Sequence, residues 1–270
     1  MVKRGALIVF EGCDRAGKST QAQRMVGRIQ ARGERAELIS FPDRSTDLGK
    51  FIDQYLKGNV EMEPREAHLV FAANRQALVG TMRNKLQHGT HLIVDRYTYS
   101  GIAYTLAKGL DVSLEWAKIH DVGILKPDCV LYFDLLPDEA RKRSGFGDER
   151  LEAYEYQCTV YKFMQTLGSE NADIWKAWCF TFLQPNSNSE IIPFVVRTFP
   201  MRTEFSQLRA WQVIDASKSI DEVSTDVWNL LKPVLDSAAA KPIEYIELSP
   251  WSVTNALRAY VRGIAKWMPL

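Results

Sequence analysis

From Gly5 to Glu11 the chain runs as a near-continuous apolar stretch, the pattern of a strand buried on both faces. Comparable short runs recur at Ala36 to Phe41, His91 to Val94, Cys129 to Phe133 and from Val213. Between them lie segments that read as helices, at Ser19 to Ala31, Leu48 to Leu56, Glu63 to Gln87, Glu152 to Leu167 and Ser219 to Leu235. Gly33 and Gly89 close two of these helices, Pro42 closes a strand, and Ser219 caps the last helix. A chain in which strand and helix alternate calls for right-handed crossovers and a parallel sheet. The expectation is an α/β protein, with five parallel strands flanked by helices in three layers.

Against that pattern the stretch Gly12-Cys13-Asp14-Arg15-Ala16-Gly17-Lys18-Ser19 stands out, because it fits G-x-x-x-x-G-K-[ST] between a strand and a helix. Two glycines let successive N–H groups converge on one point, and the helix behind adds the positive end of its dipole. The ammonium of Lys18 can reach polyphosphate oxygens while the Ser19 hydroxyl takes a place on Mg²⁺. A P-loop NTPase-type fold follows.

Other candidates sit where open α/β sheets put their ligands, at the carboxyl ends of strands. Arg44, after the second strand, is a phosphate contact or an ordinary solvated arginine. Asp95 ends the third strand and suits a Mg²⁺ shell, and the adjacent Arg96 suits an acceptor phosphate. Phe71 and Arg75 share a helical face, as a base-stacking ring beside a guanidinium or as core packing beside a charge. Gly101 allows close approach in the helix after Arg96. The basic, glycine-containing run from Ala140 to Arg150 reads as a lid over phosphates or as a solvated loop.

Composition narrows the partners. A net charge of +1 over 270 residues provides no global field for nucleic acid or an anionic membrane, so phosphate recognition must come from placed Arg and Lys. The 4 cysteines, Cys13, Cys129, Cys158 and Cys179, show neither paired nor zinc-ligand spacing, which argues for reduced thiols in a cytosol-like compartment. No apolar segment reaches membrane-spanning length, and the early first strand leaves no room for a signal peptide.

Taken together, Phe10 to Thr20, Phe41 to Thr46, Phe71 to Arg75, Asp95-Arg96-Tyr97 with Ser100-Gly101, Phe146 to Arg150 and Asp215 to Ser219 resemble the thymidylate kinase family, in the eukaryotic type with an arginine in the P-loop. The resemblance covers about Lys3 to Ile174 and Gln212 to Pro242. It implies MgATP-dependent phosphorylation of dTMP to dTDP by a homodimer, expected in the cytoplasm, with the nucleus or mitochondria as further locations. It implies that Arg15, Ala16, Gly17, Lys18, Ser19 and Thr20 hold ATP phosphates, with Lys218 beside adenine and Arg143 on the ATP side. It further implies that Asp14 accepts a bond from the dTMP 3′-hydroxyl and that Arg44 and Arg96 clamp the acceptor phosphate. Phe71 would stack on thymine, Arg75 bond its oxygen, Tyr104 face the deoxyribose beside Gly101, and Gln157 approach the base. Mg²⁺ would be held by Ser19 and, directly or through water, by Asp95.

Two segments depart from the family pattern, along with one residue. Leu151 stands where relatives carry tyrosine, with Tyr154 or Tyr156 as candidate substitutes. Residues 176–211 interrupt the kinase-like domain 1–246 as an atypical insertion whose apolar runs suit a hairpin but which reads as a poorly ordered excursion. Residues 247–270 form an extension with Arg258, Arg262 and Lys266 on one helical face, expected to pack on the protein itself or stay loosely attached rather than lie on an anionic membrane. The competing functions are a deoxynucleoside kinase and a nucleotide-binding relative whose catalysis the insertion impairs.

Overall fold

A computed structural model describes residues 3–169 and 211–247 of the chain. Its centre is a parallel sheet of five strands, β1 (Leu7–Glu11), β2 (Ala36–Ser40), β3 (His91–Asp95), β4 (Cys129–Asp134) and β5 (Trp211–Asp215), in the order β2-β3-β1-β4-β5. All four pairings are parallel, with Val9 opposite Val94 on one side and Val130 on the other. The helices are α1 (Lys18–Gln30), α2 (Asp47–Leu56), α3 (Pro64–Gln87), α4 (Thr98–Leu106), α5 (Leu114–Ile119), α6 (Pro137–Ala140), α7 (Tyr154–Ser169) and α8 (Ile220–Ala238).

The strand alternation sorts side chains onto two faces. Leu7, Val9, Leu92, Val94 and Tyr132 point to the side that carries Tyr97, Ile102, Val160 and Met164, from the start of α4, α4 itself and α7. Ile8, Phe10, Ile93, Leu131 and Phe133 point to the side that carries Met25 and Ile29 of α1 and Val227 and Leu231 of α8. Both faces are therefore dry, which is why the strands read as apolar runs rather than as alternating ones. The expected three-layer α/β fold is the one observed.

Local chemistry sets the helix starts. Thr46 caps α2 by accepting from Gly49 N at 3.0 Å, Pro64 opens α3, and Ser219 with Glu222 forms a capping box on α8. β5 begins one residue earlier than the insertion boundary suggests, at Trp211, which is buried and stacks on Tyr132 with ring centroids 5.5 Å apart. The remainder of the insertion, 176–210, and of the extension, 248–270, lies outside the described residues, and so do the hairpin and basic helix expected there.

Candidate active site

β1 delivers the chain into the glycine loop at the carboxyl edge of the sheet. Gly12 and Gly17 adopt φ of +146° and +90°. A Cβ on Gly12 would fall 2.7 Å from the Phe133 carbonyl oxygen, so the first glycine is required by space as well as by conformation. α1 starts at Lys18, which turns its unpaired N-terminal amides towards the loop. The buried Lys18 donates from Nζ to Cys13 O at 2.6 Å. Burial, reinforced by the neighbouring Arg96 charge, pushes this ammonium down to about 8. Ser19 Oγ donates to Asp95 Oδ2, while Asp95 Oδ1 is buried with no partner among the described residues.

The strand-end arginine, Arg96, lines the same cleft of about 970 Å³ as the loop. Its φ of +67° turns the side chain back to Gly12 O and to Ser100 Oγ, both at 3.2 Å, and it pairs with Asp14. Asp14 also accepts from Tyr104 Oη and from Gln157 Nε2, each at 2.7 Å. Burial alone would push the Asp14 carboxyl up, but Arg96 and Lys18 outweigh it and hold the group below the ordinary carboxylate range. Arg44 lines the same cleft from the loop after β2, with Nη1 on Asp53 at 2.6 Å and Nη2 on Glu149 at 2.7 Å.

Deeper in the cleft lie Phe71 and Arg75 on α3 and Gly101 on α4. Arg75 is buried and pairs with Asp121. At the opposite end, Arg143 donates to Arg15 O at 2.7 Å and to Ala216 O at 2.8 Å, tying the 141–150 segment to the glycine loop and to the loop after β5. Arg15 donates to Gly145 O and pairs with Glu152 at 3.3 Å. Lys218 lines the cleft on the exposed side and pairs with Asp226 at 2.8 Å.

One cleft thus gathers Asp14, Arg15, Ala16, Gly17, Lys18, Ser19, Thr20, Arg44, Phe71, Arg75, Asp95, Arg96, Gly101, Tyr104, Arg143 and Lys218. Gln157 corrects the expectation that it approaches the base. It is buried behind the wall, accepting from Asp14 N at 3.1 Å and donating to Asp14, Tyr104 Oη and Leu151 O, so it braces Asp14 instead. Tyr154 and Tyr156 do not replace the missing tyrosine either. Their hydroxyls are spent on Asp138 and on Tyr104 O, while Leu151 itself lines the cleft and packs, like Phe71, against the cluster of Ile52, Tyr55 and Leu56.

Several carboxylates that organise the site escape the sequence reading. Glu11, fully buried, accepts from Tyr97 N at 2.9 Å, Ser100 N at 3.1 Å and Ser100 Oγ at 2.5 Å, so it caps α4 beneath Arg96. Burial raises its carboxyl despite those bonds. Its signal was present, since an acid closing an otherwise apolar strand needs buried donors. Glu149 and Glu152 hold Arg44 and Arg15, and nothing in a charged loop distinguishes them from their neighbours.

A glycine cradle for a polyphosphate, with guanidinium groups across from it and an aromatic-lined recess beyond them, defines a P-loop phosphotransferase with a second anionic substrate. The family model described as thymidylate kinase matches residues 10–189. Thymidylate kinases of Danio rerio and Homo sapiens are 37% and 38% identical over 241 residues, covering 89% of this chain and 96% of each relative. The Arabidopsis thaliana thymidylate kinase is 48% identical over 173 residues, 64% of either chain. A solved structure of thymidylate kinase from Candida albicans superimposes with a TM-score of 0.70 at 30% identity, covering 91% of this chain and 100% of that one. The chain belongs to the thymidylate kinase family, phosphotransferases that convert dTMP to dTDP.

Proposed function

We propose that the chain transfers the γ-phosphoryl group of MgATP to the phosphate of dTMP through the residues gathered in this cleft. The observation that carries the reading is that Arg44 and Arg96 line the same cleft as the Gly12–Lys18 loop, so two anionic nucleotides can lie end to end. The donor phosphates lie on the amides of Arg15 to Thr20, with Lys18 on their outer oxygens and Arg15 and Arg143 beside them. The adenine rests near Lys218.

The acceptor phosphate binds Arg44 and Arg96, and Asp14 and Tyr104 face the sugar. Thymine stacks on Phe71 beside Gly101, with Arg75 at its edge. A phosphate monoester has a second pKa near ~6 and is mostly dianionic at neutral pH, so the attacking oxygen needs no base. Catalysis then rests on alignment and on charge neutralisation by Lys18, Arg15 and Arg96.

Ser19 and Asp95 fit a divalent cation, because Asp95 Oδ1 is a buried acceptor without a donor among the described residues and the Ser19 hydroxyl lies against its other oxygen. Bound there, Mg²⁺ supplies positive charge to the transferring phosphates. A homodimer is supported by the outward face of α3, where Leu69, Ala73, Ala77 and Gly80 are exposed and a Cβ on Gly80 meets nothing within 4 Å. The cytosol-like compartment rests on the cysteine pattern, with Cys13, Cys129 and Cys158 all free.

An ADP-release assay with dTMP and thymidine as alternative acceptors tests the reading. Turnover is expected on dTMP and not on thymidine, whose neutral hydroxyl needs a carboxylate base; turnover on thymidine alone overturns it.

A further inference from the structure

The turn after α5 contributes a carboxylate that has no substrate role. Asp121 has no solvent-accessible surface, yet three donors converge on it. Arg75 Nε reaches Oδ1 at 2.7 Å, Arg75 Nη2 reaches Oδ2 at 2.9 Å, and Thr98 Oγ1 adds a third bond to Oδ2 at 2.6 Å. The bidentate grip occupies the Nε and Nη2 edge of the guanidinium and leaves Nη1 as its remaining nitrogen.

The guanidinium packs against Gly101, where a Cβ would fall 2.7 Å from Nη2 and 3.0 Å from Nη1, and both residues line the cleft beside Phe71. The absence of a side chain at Gly101 therefore leaves room for the guanidinium itself at the cleft wall. A buried ion pair is weak evidence for stability, because desolvating two charges offsets most of their attraction and apolar residues of like volume serve as well. What an apolar pair cannot supply is a donor fixed in direction.

We infer that Asp121 is a positioning residue that locks Arg75 as a hydrogen-bond donor to position 4 of the acceptor's pyrimidine, and so sets the preference for a 4-oxo base over a 4-amino base. This rests on the proposal that Arg75 meets the base. A 4-carbonyl accepts from Nη1, whereas the 4-amino group of dCMP puts donor against donor. A site that holds its polar group rigidly rejects the wrong partner strongly, and one whose group can swing away does not.

The test compares Asp121→Asn, Thr98→Val and Arg75→Met in the full chain, with dTMP and dCMP as acceptors and ATP varied separately. Asp121→Asn turns an amide donor towards the guanidinium. It should raise the dTMP KM about tenfold or more and lower the dTMP over dCMP ratio in kcat/KM by a similar factor, with the ATP KM unchanged. If Arg75→Met moves neither quantity, the base-recognition reading fails. If Arg75→Met moves both while Asp121→Asn lowers only the melting temperature or the active fraction, Asp121 is merely structural and the inference is overturned. Should Asp121→Asn not fold, Thr98→Val decides: a smaller loss of discrimination in the same direction supports the inference, and an unchanged ratio contradicts it.

Discussion

Replacing Arg96 with alanine isolates the acceptor half of the site. The guanidinium is four-fifths shielded from solvent and bonds Gly12 O and Ser100 Oγ, each at 3.2 Å, as well as pairing with Asp14. Alanine removes its charge-assisted contact to the acceptor phosphate, worth about 1.5–3 kcal/mol for a single bond to a charged group. It also leaves the shielded Asp14 carboxylate without its cation, facing a dianionic ligand. Together these put the loss near ~3 kcal/mol, roughly a hundredfold in the dTMP KM. The ATP side should change by no more than about threefold, since Lys18 and the loop amides stay in place and burial, the main cause that lowers the Lys18 ammonium, is unchanged. Coupled ADP release, with dTMP varied at saturating ATP and then the reverse, measures both, and a thermal melt checks folding. Equal losses for the two ligands, or none for either, refute the assignment.

Further consequences concern the donor side, the base recess and the insertion. Lys18→Ala should lower kcat by at least about a hundredfold with little change in melting temperature, measured by the same assay and by calorimetry. Because burial, with the Arg96 charge beside it, pushes the Lys18 ammonium down to about 8, it is charged below that value and neutral above it. ATP affinity should therefore fall as pH rises through 8, with proton uptake on ATP binding near pH 8.5; calorimetry in buffers of different ionisation enthalpy detects that uptake, and its absence contradicts the Lys18 role. A Cβ at Gly101 would sit 2.7 Å from Arg75 Nη2, so Gly101→Ala should raise the dTMP KM about tenfold and spare the ATP KM. Deleting residues 176–211 joins Trp175 to Gln212 and keeps a tryptophan where Trp211 now stacks on Tyr132. The shortened chain should melt no lower than the full chain and turn over dTMP at least as fast.

The sheet and the cradle were legible in the sequence because each rests on local rules. Parallel strands covered on both faces are forced to be apolar throughout, and the glycines of the loop answer a steric demand that acts within a few residues. Arg44, Arg75 and Arg96 were open to a solvated or core reading on position alone and Tyr104 was nameable only through the resemblance, since their meaning depends on segments far apart in the chain converging on one cleft. Gln157 was misjudged for the same reason: it sits 143 positions from Asp14, and only the packing of α7 against α4 turns it from a base contact into a brace. Asp121 was missed because its donors, Arg75 and Thr98, are known only from the fold, whereas Glu11 carried a signal, an acid ending an apolar strand, that named no partner.

The account's central claim is that two guanidinium groups grip the phosphate of the acceptor opposite the glycine loop. A structure of the chain with dTMP and ADP bound tests it most directly. The dTMP phosphate is expected within hydrogen-bond distance of both Arg44 and Arg96, with Arg44 released from Glu149 or Asp53, and the thymine ring against Phe71. A dTMP phosphate bound away from both arginines would contradict the account.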